Sequence, residues 1–67
     1  MTVRKAGKYR LYRDLIVDFD GTGVGTIRKD TILNIAEVDE HNRQIKVDVG
    51  VDGHDFWRYW EVPVVPE

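Results

Sequence analysis

The chain has 67 residues, 42% of them apolar and 33% charged, and carries a net charge of −2 with no cysteine. That composition excludes disorder as the default and leaves room for one small domain, with neither disulfides nor thiolate metal sites to staple it. No apolar stretch approaches the ~20 residues of a bilayer span and none follows the basic residues near Met1, so a soluble, cytoplasmic protein without a signal peptide is expected.

The charge is unevenly placed. Residues 1–13 hold Arg4, Lys5, Lys8, Arg10 and Arg13 and no acid, whereas the rest holds five basic against twelve acidic groups. A basic leading segment either contacts nucleic acid or an acidic partner, or rests on the acidic remainder of its own domain.

In chain order, residues 1–6 read as a loose start. Tyr9 and Leu11 alternate with cations in a first short strand over residues 7–11. Leu15, Ile16 and Val17 form an apolar β-branched run. Residues 18–25, with three glycines and two aspartates, then read as a long irregular loop or an open hairpin tip. Lys29-Asp30 is the expected tight turn into a central β-hairpin over residues 31–51. Its second half alternates Ile45, Val47, Val49 and Val51 with Gln44, Lys46, Asp48 and Gly50, the period of a strand with one buried face. Ile45, Val47 and Val49 are expected in the core. The four polar residues 39–42 suit the turn between the halves.

Asp52-Gly53 is a hairpin signal, followed by the aromatic strand Phe56, Trp57, Arg58, Tyr59 and Trp60. Pro63 and Pro66 make the final segment an edge strand or an extended strap. No segment holds helical periodicity for three turns. Short strands between turn signals predict an all-β fold in one domain, a small antiparallel barrel of five or six strands or a strongly bent sheet.

The order of parts resembles the Src-homology-3-like barrel, and two stretches resemble its bacterial form. Gly7-Lys8-Tyr9-Arg10-Leu11 is similar to the opening of that domain. Val24-Gly25-Thr26-Ile27-Arg28-Lys29-Asp30-Thr31-Ile32-Leu33 is similar to its Ile-Gly-Thr-Leu-Lys-Lys-Gly-Thr segment, with Asp30 where glycine is usual. The loop after the first strand departs from the family, residues 15–21 standing where it has Asn-Val-Arg-Ser-Gly-Pro. With neither a hydrolase nor an export signal beside it, the chain looks like a free-standing barrel of bacterial or phage origin.

Leu15-Ile16-Val17-Asp18-Phe19-Asp20-Gly21-Thr22 also resembles the nucleophile motif of the haloacid-dehalogenase phosphatases, in which Asp18 would attack phosphate and Asp20 act as acid and base on a Mg²⁺ site. That chemistry needs a parallel sheet with crossover helices, for which the chain is too short. His41 and His54 lie in separate turns, and there is no serine or cysteine nucleophile. No enzyme activity, cofactor or metal is expected.

The aromatics carry the functional expectation. Phe56, Arg58 and Trp60 share one face of a strand, and Trp57 and Tyr59 share the other. One set either packs under the loop or strap, or stays wet as a recognition surface. A protein partner is expected on Tyr12, Asp18, Phe19, Asp20, Trp57, Tyr59 and Trp60, the loop carboxylates and rings forming an acidic groove for a basic or proline-containing peptide. The expected role is a small phage or bacterial regulator or inhibitor of a host factor, acting as a monomer or weak oligomer. The alternative is a nucleic-acid-binding barrel, with Arg4, Lys5, Lys8, Arg10 and Arg13 tracking phosphates and exposed aromatics stacking on bases.

Overall fold

The computed structural model describes residues 1–19, 23–48 and 55–67. They contain seven strands and no helix: β1 (Gly7–Leu11), β2 (Leu15–Phe19), β3 (Gly23–Ile27), β4 (Ile32–Asp39), β5 (Gln44–Asp48), β6 (Phe56–Tyr59) and β7 (Val64–Pro66). All pairings between strands are antiparallel.

The all-β, antiparallel expectation holds, but the expected barrel is not closed. Among the described residues the strands form a five-stranded sheet in the order β6-β5-β4-β1-β7 and a separate hairpin, β2-β3. The break falls at the Lys29-Asp30 turn, which Thr31 N closes by donating to the Arg28 carbonyl at 3.2 Å. Asp30 adopts a left-handed φ of 72°, and its N–H donates back to the Leu11 carbonyl at 2.9 Å, so β4 leaves beside β1 instead of prolonging the β3 ladder.

Of the two readings of residues 18–25, an irregular loop or an open hairpin tip, the strand pairing favours the hairpin. Asp18 pairs with Val24 and Val17 with Gly25, so the apolar run continues into a hairpin, and this raises the strand count above the expected five or six. Glycine and aspartate marked a turn correctly, but burial of Leu15 and Val17 outweighs weak strand propensity on β3. Gly23, at φ 107°, takes a conformation that L side chains rarely adopt.

The central hairpin forms as the alternation requires. Ile45 and Val47 are fully buried, while Gln44 is exposed and Lys46 half-buried. Val49, Val51 and the Asp52-Gly53 turn lie outside the described residues. One cluster holds Val3, Tyr9, Leu11, Leu15, Val17, Leu33, Ile35, Ile45, Val47, Val62 and Val64, with Ile27, Val38, Phe56 and Trp60 packed against it. Each large aliphatic side chain buried there contributes about 1.5–3 kcal/mol. Hairpin β2-β3 therefore covers the inner face of the sheet.

Residues 1–6 are tied to the end of the chain. Val3 is fully buried and its N–H donates to the Trp60 carbonyl at 3.0 Å. Thr2 bridges Glu61. Tyr9, 5% exposed, satisfies its hydroxyl by donating to the Lys5 carbonyl at 2.8 Å.

Candidate functional site

Register decides which aromatics are wet. Ile45 opposes Arg58 and Val47 opposes Phe56, so Phe56, Arg58 and Trp60 belong to the inner side. Trp57 and Tyr59 oppose Lys46 and Gln44 on the outer side, and are 46% and 56% exposed. Trp60 is half-buried against the core, with the Arg4 guanidinium 4.8 Å from its ring centroid.

Arg58 is the inner-facing cation. It crosses to the hairpin and donates from Nη1 to the Ile16 carbonyl at 3.2 Å, which brings β6 beside β2. Trp57 and Tyr59 thus point away from the strand that carries Asp18. Of the residues expected in one groove, Tyr12 and Trp57 line two different surfaces.

The first surface is a cleft of about 470 Å³ between β2 and the segment leading into β7. Tyr12, Ile16, Pro63, Asp14, Arg58 and Glu61 are among its lining residues. Tyr12 and Ile16 are 50% and 65% exposed. The Tyr12 N–H donates to the Pro63 carbonyl at 3.0 Å, fixing the distance between the two walls. The rim is charged and organised: the Asp14 carboxylate accepts from Lys29 N at 2.6 Å, and the Arg13 guanidinium lies 6.0 Å from the Tyr12 ring. Glu61 accepts from the Thr2 hydroxyl and pairs with the Met1 amino group at 2.9 Å, and these contacts hold its carboxyl below its ordinary range, the Thr2 bond foremost.

The second surface is a shallow groove of about 760 Å³ lined by Arg4, Ala6, Trp57 and residues 36–40. A β-bulge between Ile35 and Glu37 opens β4 at Ala36. Asp39 closes the β4-β5 turn, accepting from Asn42 N at 3.1 Å and from Asn42 Nδ2 at 2.8 Å. These bonds, the side-chain one first, lower the Asp39 pKa.

The other sequence candidates are dispersed. Asp18 is exposed on β2, in an antiparallel hairpin instead of the parallel strand of the phosphatase motif. Phe19 opposes Gly23, and Asp20 lies outside the described residues, as does His54. Of the basic segment, Lys8 and Arg10 stand on the outer face of β1, opposite Asn34 and Ile32, and Arg10 Nε lies 3.7 Å from Glu67. Lys5 is exposed, whereas Arg4 and Arg13 are each engaged with a ring. Among the described residues no three of His, Asp and Glu converge as a metal-ligand set, and no helix is long and apolar enough to cross a membrane.

No family model, curated protein or solved structure matches this chain.

Sequence reasoning missed Ile16, Arg58 and Pro63 on the first surface and Glu37, Asp39 and Glu40 on the second. The signal for Arg58 was present: a cation inside an aromatic run, on the same parity as two inward rings. Glu37 and Asp39 also share parity on β4, but the bulge that re-aims them depends on pairing with β5.

Proposed function

We propose that this chain is a non-enzymatic protein-interaction module with a Src-homology-3-like arrangement, reading an extended segment of a partner in the Tyr12 cleft. The fold reading is supported by a first strand placed between the last strand and β4, and by a left-handed Asp30 where the resembled domain carries glycine.

One observation carries the function: the exposed Tyr12 ring and Ile16 side chain flank the Pro63 wall in an open cleft whose rim holds both signs of charge. An extended peptide uses such a surface well, since flat and branched apolar groups accept its side chains while Asp14, Glu61 and Arg58 meet its polar groups.

Selection from a displayed peptide library, followed by NMR mapping of the winning peptide, tests the reading. Shifts at Tyr12, Ile16 and Pro63, and an affinity loss of about tenfold or more in Tyr12→Ala with Trp57→Ala unaffected, are expected. A library yielding no binder, or one binding equally to Tyr12→Ala, removes the cleft as the site.

A further inference from the structure

We propose that the outer side of β6 and the bulged end of β4 form a second docking surface, one that takes a basic, extended protein segment. It is separate from the Tyr12 cleft: Trp57 and Tyr59 stand on the opposite side of β6 from Arg58, which reaches β2.

The aromatic part of the surface supplies the contact area. Trp57 and Tyr59 are about half exposed and two residues apart on one strand, a spacing of about 7 Å. Two rigid rings at that distance accept successive side chains of an extended chain, including the alkyl stems of lysine and the planar group of arginine. Ala6 and Ala36, with their small side chains, leave the groove open beside Trp57.

Charge selects the occupant. Glu37, Asp39 and Glu40 line the groove, and among the described residues no ion pair within 4 Å neutralises any of them. Two cations adjoin these three acids, Arg4 in the groove lining and Lys46 on β5, and each is engaged with another group. Lys46, opposite both Trp57 and Glu37, has its Nζ 3.7 Å from Asp55. Arg4 lies over the Trp60 ring. The Asn42 hydrogen bonds favour the ionised form of Asp39 and lower its pKa. A partner bringing lysine or arginine supplies the missing counter-charge, whereas a phosphate backbone meets three carboxylates.

The probe is an end-capped synthetic peptide of alternating Arg and Ala, titrated into isotope-labelled protein and followed by NMR, with the Glu-Ala peptide as control. Expected are shifts at the Trp57 indole, Tyr59 and residues 37–40, an affinity that falls with added salt, and a loss of about tenfold in Glu37→Gln/Glu40→Gln. These exposed, near-isosteric changes leave the fold intact, and Trp57→Ala gives a second, charge-independent arm. Equal binding of the Glu-Ala peptide, shifts confined to Tyr12 and Ile16, or unchanged affinity in the double variant overturns the proposal. So does an oligonucleotide that binds the same residues more tightly, or self-association of the protein that protects Trp57. None of these outcomes bears on the Tyr12 cleft except the shifts at Tyr12 and Ile16, which would favour it.

Discussion

The Arg58 guanidinium reaches the Ile16 carbonyl at 3.2 Å across 42 residues of sequence, joining the edge of the five-stranded sheet to the separate hairpin. The contact is not fully balanced, since Arg58 Nε is buried without a hydrogen-bond partner among the described residues. A buried unpaired donor costs about 1–3 kcal/mol, similar to what a bond from a charged donor contributes.

Arg58→Met is therefore expected to change global stability by less than about 1 kcal/mol while loosening the hairpin. Hydrogen exchange checks both halves: amides of β2 and β3 should exchange faster, with β4 and β5 unchanged. A loss of several kcal/mol in a urea melt would mean that the bond dominates and the unpaired Nε is inconsequential.

Val47 is fully buried between neighbours on both sides of β5. Val47→Ala removes two methyl groups and leaves a void, so a loss of about 2 kcal/mol is expected in chemical denaturation. For a domain this small, that is a large share of its stability.

Asp30 and Arg43 hold positive φ angles of 72° and 56°. Glycine is relieved of the side-chain clash in that region, although it adds freedom to the unfolded chain. Asp30→Gly and Arg43→Gly should each raise stability by about 0.5–1 kcal/mol, Arg43→Gly by more because aspartate tolerates the left-handed region better than arginine. A β-branched residue at either site should lower the melting temperature.

Asp39 and Glu61 both have pKa values lowered from their ordinary 3.8 and 4.5. Groups depressed on folding contribute stability that is complete above their ordinary values and is lost as pH falls through the folded ones. Urea midpoints should thus be flat above those values and decline in more acidic solution. Asn42→Ala removes the main cause of the Asp39 shift and should shallow that decline.

Much of the fold was legible in local pattern. The alternation of Ile45 and Val47 marked a half-buried strand, the polar run at 39–42 marked its turn, and the two prolines marked an edge, because period and turn chemistry are properties of neighbouring residues. Parity also divided the aromatic strand into the sets Phe56/Arg58/Trp60 and Trp57/Tyr59.

Which set faced water was decided by pairing. Both faces of that strand carry large rings, so hydrophobicity could not choose between them; opposition of Phe56 to buried Val47 did. The same holds for the hairpin at β2-β3, where glycines and aspartates imitate a loop until Leu15 and Val17 find the core. The carboxylates at 37, 39 and 40 came beside Trp57 through a bulge that exists only where β4 meets β5. Turns and alternation need only a few adjacent residues, but burial is a relation between segments distant in the chain. The division of the aromatics and acids into two surfaces therefore arose with the tertiary structure.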